Sequence, residues 1–164
     1  MQPHELLVAV HRLDASTQTP AIPSRKSMEA VSECIQARRT FPPESLASAL
    51  AQLCEEPTLP RMLMRTAIQV LSAAPELRSR LVDLLGRLAA RQIWTRDELW
   101  KGFLLCARHA VPASCGVLLQ LPPRHLADAL AQQPALKVPL QAHVRAHPSG
   151  VSRAALDLLG LAPP

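Results

Sequence analysis

Apolar residues recur along this chain at the three- and four-residue spacing of one helix face, in short blocks interrupted by proline. The clearest block places Leu77, Leu81, Leu84, Leu85 and Leu88 at i, i+4, i+7, i+8 and i+11, with Arg78, Arg80, Asp83 and Arg87 off the stripe. It predicts a helix of about four turns, opened by Pro75, whose missing N–H is no loss at a first helical position. Upstream, Leu6, Val10 and Leu13 predict a short first helix with that face buried, ending near Asp14. A polar loop should follow over Ala15–Pro23, after which Ser24 is placed to cap a helix carrying Met28, Val31 and Ile35. Beyond the break at Phe41-Pro42-Pro43, Leu46, Leu50 and Leu53 form a third stripe. From Pro60, Leu63, Ala67 and Val70 form a fourth, widened by Met64 and Ile68.

Thr95 followed three residues later by Glu98 has the form of a capping box, so a helix should open there. Its apolar face would be Leu99, Phe103 and Cys106, with Trp100 and Leu104 beside it. Shorter segments follow: Pro112 to Leu121, then Leu126 and Leu130 after Pro122-Pro123, then Leu136, Leu140 and Val144 after Pro134. Pro139 within the last of these calls for a kink or a late helix start. A final helix should run over Arg153–Leu159 and stop at Gly160. No strand alternation is convincing anywhere. The pattern predicts an all-α protein of about eight to ten short helices, either a HEAT/ARM-like α-solenoid or an irregular helical bundle.

Composition changes this picture little. The 164 residues are 48% hydrophobic and 19% charged, enough to build a core, and the length suits one domain. Aromatics are 2% with no Tyr, which argues against an all-β domain and against an RNA module that stacks bases on aromatic rings. The net charge of +5 comes largely from Arg, scattered except for Arg25-Lys26 and Arg38-Arg39. A solvated Arg-rich surface is the plainer reading; the alternative is an RNA-binding helical module using Arg38, Arg39, Arg61 and Arg65. Cys34, Cys54, Cys106 and Cys115 form no CxxC pair and read as free, mostly buried thiols of a reducing compartment. No apolar run approaches the roughly 20 residues of a membrane helix, and the N-terminus lacks a secretory pattern.

Candidate chemistry is thin. Cys106, His109, Cys115 and His125 can be parsed as a zinc set, but at no zinc-finger spacing, and Cys106 sits on an apolar stripe. Cys115-Gly116 lacks an identifiable base, and there is neither GxxxxGK[ST] nor GxGxxG. Glu55-Glu56 and Asp97-Glu98 fall at helix ends, where acids serve structure. Trp94, Trp100 and Phe103 cluster in a chain otherwise nearly free of aromatics; core packing is the preferred reading and a partner anchor the alternative. Met62 and Met64 read as core. The residues therefore describe a basic, all-helical, non-enzymatic domain without metal, cofactor or small-molecule substrate, suited to binding another macromolecule.

Five stretches carry a resemblance: PHELLVAVHRLD (3–14), LPRMLMRTAIQVL (59–71), RQIWTRDELWKGF (91–103), LQLPPRHL (119–126) and PLQAHVR (139–145). In order and spacing they resemble the symplekin C-terminal domain family, over residues 3–147, with 148–164 a weakly matched tail that holds the possible last helix. The resemblance implies a nuclear helical scaffold without activity of its own. In that family the domain docks onto the C-terminal regions of the cleavage and polyadenylation specificity factor (CPSF) endonuclease and its inactive paralogue, within the machinery that cleaves polyadenylated and histone pre-mRNAs. Symplekin is far longer, so a fragment or a short paralogue is expected, and no residue of a partner interface is assigned.

Overall fold

A computed structural model describes residues 1–15 and 24–162. Those residues form ten α-helices and no strand, so the chain is all-α. The helices are α1 (Pro3–Ala15), α2 (Ser24–Gln36), α3 (Pro43–Glu55), α4 (Leu63–Ala73), α5 (Arg78–Ala90), α6 (Asp97–His109), α7 (Cys115–Leu119), α8 (Pro123–Gln132), α9 (Lys137–Ala146) and α10 (Arg153–Leu159). The chain divides into two compact units, Met1–Leu84 and Leu85–Pro164, the division falling inside α5. The loop expected as far as Pro23 and the cap expected of the Ser24 side chain lie outside the described residues.

In the first unit α1 packs on α2 and α3, and α4 packs on both α2 and α3. The stripes read from spacing largely meet: Val31 and Ile35 of α2, Leu46, Leu50 and Leu53 of α3, and Leu63, Ala67 and Val70 of α4 are buried, while Met28 of α2 and Ile68 of α4 are half-buried. Met62 and Met64 are buried with them. Short helices of this kind gain most of their stability from such packing, since in isolation helices below about 12–15 residues are marginal.

The first helix is where the expected face is wrong. Leu6 and Leu13 are exposed, at 42% and 50%, while Leu7, Val8 and His11 are buried. A histidine looks like a polar residue in a hydrophobicity pattern, but this one is satisfied from both ring nitrogens. Its Nδ1 lies 2.8 Å from the Leu7 carbonyl oxygen and its Nε2 lies 2.8 Å from the Thr66 hydroxyl of α4. The Leu7 carbonyl only accepts, so Nδ1 carries the proton. Once paired, the imidazole takes a core position, and α1 turns to put Leu7 and His11 inward. Charged pairs decorate the outside of this unit: Arg12 with Glu56 at 2.6 Å, Arg80 with Glu44 at 2.6 Å, and Arg38 with Glu76 at 3.2 Å. Exposed pairs of this kind add little stability each.

Helix α5 follows a 3-10 turn over Pro75–Leu77, and Leu77, Leu81, Leu84, Leu85 and Leu88 are buried as the heptad-like spacing required. In the second unit α6 packs on α8, α7 on α9, and α10 on α8 and α9. Pro139 is the third residue of α9, inside the first turn, where the absent N–H would have had no helical partner; the late-start alternative is the one realised. The last helix has its expected ends. The Ser152 hydroxyl accepts from the Ala155 N–H at 3.2 Å, and Gly160 closes α10 in the left-handed region at φ +68°. The Gln141 amide of α9 donates to the Leu159 carbonyl at 2.8 Å.

The capping box at Thr95 and Glu98 does not form. The Thr95 hydroxyl instead donates to the Gln92 carbonyl at 2.9 Å, within a 3-10 turn over Ile93–Thr95. Helix α6 opens at Asp97 with Arg96 as its N-cap residue, which gives no side-chain cap. Asp97 and Glu98 then occupy the first turn, where the helix dipole favours acids.

Thr66→Val keeps the shape of the side chain and removes the hydroxyl that pairs with His11. Chemical denaturation should show a loss of about 1–3 kcal/mol, the cost of stranding a buried ring nitrogen. A midpoint indistinguishable from the unaltered chain would show that the bridge from α1 to α4 is dispensable.

Candidate functional site

The aromatic cluster is assembled in the second unit from the turn after α5, from α6 and from α8. Gln92 ends α5 with φ 56° and ψ 49°, and its N–H reaches the Ala89 carbonyl at 2.9 Å. It is the one non-glycine residue with positive φ among the described residues. An L side chain in this region costs roughly 1–2 kcal/mol, a conformation glycine adopts freely. The reversal brings Ile93 into the core and leaves Trp94 half-buried.

Trp94 stacks on His125 of α8, with centroids 4.4 Å apart and planes at 20°, and meets Trp100 edge-on at 6.4 Å and 85°. Trp100 stacks on Phe103 one turn further along α6, at 5.3 Å and 19°. Trp100 and Phe103 are buried. The Trp100 indole N–H donates to Asp128 Oδ2 at 2.6 Å, and the Gln132 amide donates to the same oxygen at 2.8 Å. His125, Asp128 and Gln132 lie at i, i+3 and i+7 on α8, so one helix face supplies the ring that supports Trp94 and the carboxylate that fixes Trp100. The preferred core reading therefore holds for Trp100 and Phe103. Trp94 is different: it belongs to the cluster and also lines open space.

That space is a cleft of about 410 Å³ within the second unit. Helix α5 contributes Gly86, Ala89 and Ala90, the turn contributes Gln92 and Trp94, and Val117 with residues 120–122 completes the lining. The first unit has a smaller cleft of about 250 Å³ between α2 and α4, lined by Ile35 and Ile68 among others. There the Gln69 amide nitrogen donates to the Ser32 hydroxyl at 3.0 Å, while Gln69 Oε1 is buried without a partner.

The candidate zinc residues do not converge. Among the described residues no group of three or more His, Cys, Asp and Glu is placed to hold a metal ion. Cys106 and Cys115 are buried in the core, His109 is exposed, and His125 is engaged with Trp94. Burial pushes the Cys106 thiol up to about 12 and also raises Cys115, away from the thiolate that ligation or nucleophilic attack needs. None of the four cysteines is in a disulfide.

The basic residues divide unevenly. Met1–Leu84 holds nine Lys and Arg against nine Asp and Glu, whereas Leu85–Pro164 holds nine against four, so the whole +5 lies in the second unit. Of the four arginines considered for RNA, all are exposed and all lie in the neutral unit. Arg38 is bound to Glu76 and to the Ala73 carbonyl.

The family model described as "Symplekin tight junction protein C terminal" matches residues 1–133, and the chain belongs to that family. The family is one of scaffolds in pre-mRNA 3′-end processing. No solved structure matches the chain. Among the described residues no helix is long and apolar enough to cross a membrane.

Two substitutions probe the cluster. Trp100→Ala should destabilise the protein by about 3–5 kcal/mol in denaturant titrations, through lost burial and the lost indole bond to Asp128. A loss below about 1 kcal/mol would be incompatible with its buried, bonded position. Gln92→Gly should stabilise by about 0.5–1 kcal/mol, because relief of the left-handed strain exceeds the extra chain entropy of glycine. A destabilised Gln92→Gly protein would mean that the Gln92 side chain contributes more than its backbone costs.

Proposed function

We propose that this chain is the non-catalytic docking domain for the C-terminal regions of the CPSF endonuclease and its inactive paralogue, acting in the nucleus in the cleavage of polyadenylated and histone pre-mRNAs. The observation that carries this reading is the family match over residues 1–133. It takes in the whole first unit and the aromatic cluster and cleft of the second. We take residues 3–147 as the working domain and 148–164 as an appended tail; α10, in that tail, packs on α8 and α9 and buries Ala155, Leu156 and Leu159.

The physical features support a scaffold on three counts. Side chains with chemistry to offer are used for structure: His11 bridges α1 to α4, Asp128 fixes Trp100, and Cys106 and Cys115 are packed as small apolar groups. The second unit carries the charge excess, which steers encounters with acidic surfaces. The half-buried Trp94 beside a cleft belongs to a residue type enriched at binding hot spots.

Co-expression of the chain with the C-terminal regions of the endonuclease and the paralogue, followed by size-exclusion chromatography, tests the reading. Co-elution of all three as one stoichiometric peak is the expected result. A monodisperse chain that elutes apart from an intact endonuclease–paralogue pair would overturn the assignment of partner.

A further inference from the structure

One apolar set occurs twice in the first unit. Leu6, Ala9, Val10 and Leu13 of α1 recur as Leu46, Ala49, Leu50 and Leu53 of α3, each 40 positions on. The same offset carries Met28, Val31 and Ser32 of α2 onto Ile68, Leu71 and Ser72 of α4. A helix pair repeated at about 40 residues is the unit of a HEAT-type solenoid, in which each pair packs on its neighbours. The two copies differ in what covers them. In α3, which packs on α1 and α4, all four residues are at most 1% exposed. In α1, Leu6 and Leu13 are 42% and 50% exposed, and Ala9 and Val10 are half-buried. Helix α2 repeats the contrast: Ala30 and Cys34 are half-buried, whereas their counterparts at the same offset, Val70 and Ala74, are fully buried. At about 100° per residue, Leu6 and Leu13 lie on the side of α1 opposite Val8 and His11, and His11 is bonded to Thr66 of α4. Two scattered leucines in water would need no explanation; an open copy of a face that is buried one layer further in does.

We propose that the outer face of α1 and α2 receives an antiparallel helix pair of a protein partner, stacked as a further layer with a large-aliphatic stripe against Leu6, Val10 and Leu13. The proposal rests on the scaffold reading above and gives the partner's docking element its shape. It continues outward the interface by which α3 and α4 already stack on α1 and α2. There the covering side chains are helical and aliphatic, with Leu7, Val8 and Val31 buried. Ridges of such side chains fit between those of a second helix, so a partner helix pair matches the open copy. An extended segment does not: the N–H and C=O groups along α1 are spent within the helix and leave a strand nothing to pair with. Charge adds little here, because the first unit has as many acids as bases and Arg12, at the border of the face, is bonded to Glu56. A second copy of this chain, presenting the same open face, is the occupant the experiment must separate.

The full chain would be compared with a variant carrying Leu6→Glu and Leu13→Arg together. Both positions are exposed, and an acid in the first turn with a base in the last suits the helix dipole. The double variant should therefore melt within about 5 °C of the unaltered chain. Titrated against the purified endonuclease–paralogue C-terminal pair, it should bind at least about tenfold more weakly. Val138→Glu, at an exposed apolar position of α9, should bind as the unaltered chain does. A photocrosslinking residue in place of Leu13 should mark two stretches of the partner, each at three- and four-residue spacing. These cross-links are read on an otherwise unaltered chain, so they test the face even where the double substitution unfolds it.

Unchanged affinity in the double variant would overturn the docking face and leave the scaffold reading intact. Cross-links confined to one unbroken stretch would overturn the helix pair as occupant. Concentration-dependent dimers of the unaltered chain in sedimentation, lost in the double variant, would reassign the face to a second copy. Absence of any complex with the unaltered chain would remove the scaffold reading and the occupant together.

Discussion

Helix length is the constraint on which everything else depends. None of the described helices exceeds 13 residues, and α7 has five, so none has the length to persist alone in water. Each exists because one face is buried against another helix. The leucine stripes of α3, α4 and α5 meet that requirement with apolar carbon alone. Where carbon was insufficient, a polar group was buried and paired: His11 to Thr66 in the first unit, the Trp100 indole to Asp128 in the second, and the Ser114 hydroxyl to the Ala107 carbonyl at 2.6 Å. The prolines belong to the same economy. Pro43, Pro75, Pro123 and Pro134 stand at first helical positions, where they end one short element and begin the next without removing a hydrogen bond.

Much of this was legible in the sequence, and the failures have physical causes. Regular apolar spacing placed the helices to within a few residues and identified the buried faces of α3 to α6, because a large apolar side chain on a helical period has little alternative to burial. Proline marked the breaks for the same reason of rigidity. The face of α1 was misjudged because Leu6, Val10 and Leu13 form as good a stripe as the one actually buried. What chose between them was the partner of His11, Thr66, which lies 55 residues away and leaves no local signature. The capping box at Thr95 failed for a related reason: α5 ends in a left-handed Gln92, a residue type with no special preference for that conformation, and the turn it starts consumes the Thr95 hydroxyl.

The site was half legible. Three aromatics in ten residues, in a chain 2% aromatic, were a sound signal of something concentrated there. Spacing could not assign Trp94 and Trp100 to different roles, since that depends on which side of α8 each ring meets. The glycine at position 86 is a second signal: an interior helical glycine costs about 0.5–1 kcal/mol against alanine, so one in a leucine-rich helix calls for a reason. Its position in the cleft lining supplies one.

Charge completes the division of labour. In the first unit bases and acids balance, and Arg12, Arg38 and Arg80 each meet a glutamate. Such a surface has little net field with which to attract a partner. The second unit holds nine bases against four acids, one of which, Asp128, is committed to Trp100 and Gln132. Such an excess of bases gives this unit a long-range field that favours encounter with acidic surfaces. Steering of this kind acts on the rate of encounter, whereas short-range burial sets residence, so salt should change association more than dissociation.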